Sequence, residues 1–479
     1  MGPMDLSDVG YDAFLVNGQT ESLLNANPGE TIRIRLINAA ASSYFNVEFA
    51  GEVMTIVASD GVDVEPIKVK RLRIALAETY DVIVKVPDSK AYELRATSED
   101  GTGKASVFIG AGEKILAPNI PKPNLFLVDH SMHNMSGLDI NMEMKFGKVM
   151  DHSMHSMPNR NMNKSAIIEY MTDYKSLRAT RDTSLSSVAP TREVTLDLTG
   201  NMERYVWNFN EKTLRESDKI LIKKGEVVSF ILNNKTMMHH PIHLHGHFFR
   251  VLNGQGARSP LKHTVNVAPM EKVTIEFEAN EEKDWFFHCH NLYHMKAGMA
   301  RVVSYENTTR ATPSILAKLA HDDWYLTGDI GSFFNMTYGM LRASNTRNAI
   351  EVEYDSNYKK EYDTEIIYAR SITRFMDVYA GGNFEREGKE GKTKDTAIVG
   401  IKYMLPMLIE SNLRINSMGR SQLSLSSDLQ LTERNKFEWS WNTDKKYRVG
   451  LSYELNKMFL ITSLYDSDFK WGAGIRIKF

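Results

Sequence analysis

The chain has 479 residues, of which 42% are hydrophobic and 25% charged, a composition of folded domains and not of a disordered tail. Lys and Arg number 58 against 60 Asp and Glu, a net charge of -2, so the basic excess of a general nucleic-acid binder is missing and no nucleic-acid partner is expected. A single cysteine excludes a disulfide framework and CxxC motifs, and no apolar run reaches the roughly 18 residues of a transmembrane helix.

At about 100–200 residues per domain, the length predicts about three domains. The opening MGPMDLSDVG lacks the basic-then-apolar pattern of a secretory leader. Residues 1–118 read as β. In TIRIRLIN, Ile32, Ile34 and Leu36 share one face and Arg33 and Arg35 the other. YDVIVKV is a short apolar strand, and VASDG and PDS carry turn chemistry. Short strands at this spacing predict a sandwich.

Residues 119–164 form a biased segment opened by the prolines of APNIPKPN. DHSMH occurs at 129–133 and again at 151–155, and eight methionines fall between Met132 and Met162. Thioether sulfur is a soft ligand that selects Cu(I). Met132, Met135, Met154 and Met157, beside His130, His133, His152 and His155, make two similar clusters suited to Cu(I) capture. The plainer reading is a Met-rich linker without affinity; against it, this polar stretch offers no core for methionine to fill.

Residues 165–308 return to β patterning in EVTLDL, ILIKKGEVVSFIL and KVTIEFEA. Two motifs stand out there. HHPIHLHGHFF holds His239, His240, His243, His245 and His247; WFFHCHNLYHMKAGM holds His288, Cys289, His290, His294 and Met299. A thiolate, two imidazoles and a weak axial thioether are the ligands of a blue copper site. Cys289, His294 and Met299 fit on one wrapping loop, with His240 the candidate from another strand. On an extended strand His243 and His245 point the same way, as do His288 and His290, which face away from Cys289. Those four are placed for a second, distinct metal centre. His239, His247, His263 and His321 read as supporting or ordinary surface histidines.

Residues 320–479 alternate regularly. Trp471, Ala473, Ile475, Ile477 and Phe479 share a face opposite Gly472, Gly474, Arg476 and Lys478. Tyr447, Val449, Leu451, Tyr453 and Leu455 do the same opposite Arg448, Gly450, Ser452 and Glu454. Strands of about 9–11 residues, apolar outward and polar inward, predict a transmembrane β-barrel of about ten strands. Alternation also fits a soluble barrel or sandwich; the aromatic strand ends and C-terminal Phe479 favour the membrane.

HPIHLHGH and HCHNLYHMKAGM resemble the third and fourth copper motifs of multicopper oxidases, in particular the copper-resistance, CopA-like periplasmic branch. FLVNGQ, RIRLINAAASSYFNVEF, VASDG and AETYDVIV resemble its middle cupredoxin domain, and the Met/His segment its methionine-rich insertion. The stretch from TAIVGIKYMLPMLIES to Phe479 resembles the CopB-like copper-resistance barrel of the outer membrane. The resemblance implies an all-β chain: two cupredoxin-like β-sandwiches at 1–118 and 165–308, a Met/His-rich insertion, and an antiparallel β-barrel at 320–479. It implies copper as cofactor, with His240, Cys289 and His294 at a type 1 site, Met299 axial, His243 at type 2 copper, and His245, His288 and His290 at the type 3 pair. Implied substrates are Cu(I) and dioxygen, and outer-membrane lipid is the implied partner of the barrel, with the cupredoxin units in the periplasm.

The family's trinuclear cluster needs eight histidines, four of them from a first domain with HxHG and HxH motifs. Before residue 239 this sequence contains neither motif, and the histidines there are His130, His133, His152 and His155. The expectation is therefore a chain shortened at its N-terminus, leader included, with a type 1 site and half a trinuclear cluster. The rival reading is a copper-sequestering outer-membrane protein that is not an enzyme.

Overall fold

Period-two alternation over most of the chain dictates strands. The computed structural model describes residues 6, 8–51, 53–123, 167–202, 204–306, 321–358, 361–387, 392–432, 434–456 and 458–479. Among these, one α-helix, Leu292–Lys296, interrupts an otherwise almost wholly β chain. The fold class is the expected one: cupredoxin-like sheets followed by a closed antiparallel barrel. The Met/His clusters at 130–135 and 152–157 lie outside the described residues.

The first unit is a ten-stranded sheet. The alternation of TIRIRLI appears as strand Thr31–Ile37, antiparallel to Thr79–Lys85. Met54, Ile56, Val69, Leu72, Val82 and Val84 fill its core. Strand Ile168–Met171 returns to this sheet, parallel to Val62–Ile74.

The second unit stacks a six-stranded sheet on a five-stranded one. The five-stranded sheet runs Lys219–Ile222, Ala300–Tyr305, Trp285–Cys289, His240–Leu244, Thr264–Val267. Leu198, Phe230, Ile242, Leu244, Phe277 and Phe287 are buried between the sheets. The two units meet at a buried ion cluster. Lys262, fully enclosed, stands 3.2 Å from both Asp60 and Glu78 of the first unit. Asp60 also accepts from the backbone N–H groups of His263 and Thr264, each at 3.1 Å. A lysine can be enclosed this deeply because two carboxylates replace its water.

Among the described residues the third unit is a closed barrel of twelve strands, two more than the approximate ten expected. Its first strand, Tyr325–Phe333, pairs with its last, Lys470–Lys478. Trp471, Ala473, Ile475, Ile477 and Phe479 face outward, while Arg476 is buried inward. The inner wall is ionic. Arg476 reaches Asp329 at 2.6 Å and also bonds Glu438; Lys402 meets Glu351 at 2.8 Å, and Arg448 meets Asp355 at 2.9 Å. Asp329, Asp355, Lys402, Arg448 and Arg476 line part of an internal cavity of about 890 Å³. No helix of the described residues is long and apolar enough to cross a membrane, which says nothing about the barrel.

Candidate metal centre

Strands His240–Leu244 and Trp285–Cys289 are antiparallel neighbours, with Ile242 opposite Cys289 and His243 opposite His288. Alternation then divides the chemistry between two faces. Cys289 joins Ile242, Leu244 and Phe287 in the core between the sheets. His243 and His288 point from the opposite face.

On the core side His240, Cys289 and His294 form a closed group. The two Nδ1 atoms are 3.1 Å apart, and each lies 3.8 Å from the Cys289 sulfur. Among the described residues this is the group of three donors whose atoms all lie within 4.8 Å of one another. His294 is delivered by the helix Leu292–Lys296, capped by Asn291, whose side-chain oxygen accepts from the N–H of Tyr293. Met299 is fully buried, and its backbone is tied to both partners: its N–H donates to the His294 carbonyl and its carbonyl accepts from the Cys289 N–H, each at 3.0 Å.

The outer nitrogens of both rings are held. Thr236 donates its hydroxyl proton to Asn234, so its oxygen accepts from His240 Nε2–H at 2.8 Å. His294 Nε2–H donates to Asp8 at 3.1 Å. Both Nδ1 lone pairs are thereby left for a metal. Burial opposes ionisation of Asp8, but bonds from His294, Asn291 and Tyr205 outweigh it and hold the carboxyl below its usual range. Burial pushes the Cys289 thiol well up and both imidazoles down, so the histidines are neutral. Trp207 stacks on His294 at 4.0 Å and meets His240 edge-on at 5.2 Å.

On the other face, the rings of His243 and His245 are 4.7 Å apart, and His245 Nε2 is 3.2 Å from His288 Nε2. His243 Nδ1–H donates to the His263 carbonyl at 2.7 Å, and His288 Nδ1–H to the Cys289 carbonyl at 2.8 Å. Each thus offers Nε2. The His290 ring lies 5.4 Å from that of His288 and 5.8 Å from that of His243. Burial lowers the pKa of all four, His243 to about 4 and His288 to about 3, so they are uncharged donors near neutrality. These four neighbours do not close a compact three-donor group, unlike the set around Cys289.

The supporting histidines separate. His239 is held by Arg73 and Asn266, His247 bonds the Tyr305 hydroxyl at 2.8 Å, and His321 is exposed beside Asp323. Sequence reasoning missed Asp8, Tyr205, Trp207 and Thr236. Only Asn291 carried a local signal, as a capping residue immediately after HCH.

A multicopper oxidase family model matches residues 187–309, and a second multicopper oxidase model matches 4–111. A copper resistance protein A homolog of Pseudomonas syringae pv. tomato is 34% identical over 358 residues, covering 64% of this chain and 60% of its own length. Copper resistance protein A of Escherichia coli is 34% identical over 379 residues, covering 64% and 62%. The chain thus spans about six-tenths of these curated relatives. Among solved structures, Fet3p, a multicopper oxidase that functions in iron import, covers 63% of this chain and 62% of its own at 17% identity, with a TM-score of 0.45. Copper is the cofactor: a soft thiolate with two neutral imidazoles is a copper donor set, and the similarities agree with it.

Proposed function

We propose that this chain is a copper-resistance oxidoreductase of multicopper oxidase type that takes electrons from Cu(I). The observation that carries the reading is the closed triangle of His240, Cys289 and His294, with an ionised Asp8 on the outer nitrogen of His294. Bound in that triangle, copper supplies one-electron redox chemistry. The chain's residues do the rest. Burial keeps water from the sulfur, and Thr236 and Asp8 fix which ring nitrogens carry protons. Asp8, exposed by 1% at its side chain, also sets a negative charge at the edge where a cationic donor would give up its electron. Cys289 is covalently flanked by His288 and His290, so a two-residue path links the faces.

Dioxygen is the proposed acceptor at the His243, His245, His288 and His290 face. These four are half the histidine set that a trinuclear cluster requires, so the other half has to come from outside the described residues. The Met/His segment would capture Cu(I) for delivery. The barrel would sit in outer-membrane lipid with the cupredoxin units in the periplasm; its outward Val399, Ile401, Leu413, Leu451, Ile461 and Ile475 support that placement.

The open four-histidine group favours a second reading, a copper-sequestering membrane protein without turnover. One sample decides between them. Copper-loaded chain is examined by visible absorption, electron paramagnetic resonance and oxygen uptake on addition of Cu(I). Blue absorbance that Cys289→Ser abolishes, with oxygen uptake, supports the oxidase. Blue absorbance without uptake supports sequestration. Blue colour retained in Cys289→Ser sinks the copper assignment.

A further inference from the structure

The barrel and the copper-bearing sandwich meet through charged and polar contacts concentrated at one edge of each. On the barrel these come from the turn 345–347, the turn 372–374 and the lead-in residues 321–323, all at the end where its first strand starts and its last strand finishes. Arg347 donates to Glu216 at 2.7 Å and to the Glu211 carbonyl at 2.9 Å. Arg374 pairs with the Glu211 carboxylate at 3.6 Å, and its carbonyl accepts from Asn201 at 2.6 Å. Asp322 takes Arg215 at 2.9 Å, and Asp323 takes Lys296 at 2.7 Å.

The sandwich residues in these contacts border the buried triangle. Asn201 and Arg204, which donates to the Thr346 carbonyl at 3.4 Å, lead into strand Val206–Phe209, whose Trp207 stacks on His294. The 211–216 turn is tied to the ligand loop, because the Leu214 N–H donates to the Gly298 carbonyl at 3.0 Å. Lys296 belongs to the helix that carries His294. Among the described residues, no hydrogen bond or ion pair joins the barrel to His243, His245, His288 or His290.

We propose that turns 345–347 and 372–374, with residues 321–323, form a docking surface that seats the Asp8–His294 edge of the sandwich toward the barrel mouth and leaves the four-histidine face turned away. The inference rests on the copper reading only for what that edge does. Single exposed ion pairs contribute about 0–1 kcal/mol each, so the orientation depends on several acting together. Held this way, the edge is screened from protein-sized electron donors.

The test uses the full chain in lipid vesicles or detergent, without metal. Arg347→Lys makes the contact with Glu216 accessible to a zero-length carbodiimide, which joins amines to carboxylates in direct contact. Expected are the 347–216 and Lys296–Asp323 cross-linked peptides, the first lost in the further Glu216→Gln variant. Their absence under conditions that join Lys70 to Glu169, 2.8 Å apart within the first unit, overturns the docking. Independently, Arg347→Glu with Arg374→Glu should speed hydrogen exchange at 204–216 and 292–296, and adding Glu211→Arg with Glu216→Arg should restore it. Unchanged exchange in the first pair overturns the proposal. In copper-loaded chain the same uncoupling should raise several-fold the rate at which a protein-sized reductant bleaches the blue band. An unchanged rate removes the screening role, whereas failure of any blue band to form counts against the copper reading and leaves the cross-link result standing.

Discussion

Asp8 accepts from His294, Tyr205, Asn291 and Ser42, a convergence that places one ionised carboxylate against a ring of the proposed copper site. An anion there stabilises the more positive oxidation state of the metal. Asp8→Asn should therefore raise the reduction potential of the loaded site. For the charged part of one hydrogen bond, on the order of 1 kcal/mol, the rise is about 40 mV. Redox titration of the blue band measures it, and an unchanged or lowered potential would count against the assigned contact. Proton balance gives a second prediction. Burial keeps the Cys289 thiol protonated and both imidazoles neutral, so copper binding at neutral pH displaces one proton, from sulfur. Because the bound form lacks that proton, affinity rises with pH, by about tenfold per unit below the thiol pKa. Calorimetry in buffers of different ionisation heat counts the proton; a count of zero or two contradicts the picture. The grouping of Cys289, His240 and His294 was legible because the chemistry of a soft site dictates residue types within short spacings. Asp8 was not, since it comes from 286 residues away and only the fold brings it in.

Strand His240–Leu244 presents histidines to both sides because successive side chains leave opposite faces. His243→Ala should accordingly leave the blue absorbance intact while weakening metal binding on the other face; loss of blue colour would mean the faces are not independent. The same local geometry puts Gly246 at φ +72 with Trp285 against it, where an added Cβ would lie 2.3 Å from the indole. Gly246→Ala meets both a disfavoured backbone and a rigid ring, and should cost about 1–3 kcal/mol. The denaturant midpoint of the metal-free chain tests this, and a neutral result would place the Trp285 ring elsewhere. Alternation made such strands readable, since period two is a local property. Lys262 shows the limit. Within PLKHTVNV it looks like a solvated lysine, yet it is enclosed, because its partners Asp60 and Glu78 lie on the other unit.

Closure of the barrel is a property of the whole molecule. Strand Tyr325–Phe333 meets Lys470–Lys478 across the length of the third unit, and no local pattern specifies that pairing. Alternation in the sequence left a membrane barrel and a soluble sheet both open; closure settles the architecture but not the solvent around it. The outer wall bears on that second question. Ile350, Ile366, Val399, Leu413, Leu451 and Ile475 are all outward and between 44% and 57% exposed. In water such a band invites aggregation; in lipid it is the stabilising surface. Leu451 lies mid-strand in Tyr447–Glu454, so Leu451→Arg separates the two environments. In a bilayer the substitution should cost about 2–4 kcal/mol, whereas at an exposed site in water the change stays within about 0.5 kcal/mol. Reversible urea unfolding from lipid vesicles measures the difference. A neutral substitution would mean that this wall does not face hydrocarbon and would remove the lipid placement. A penalty in that range, absent at an outward residue near a strand end such as Leu455, would give the depth profile of a spanning barrel.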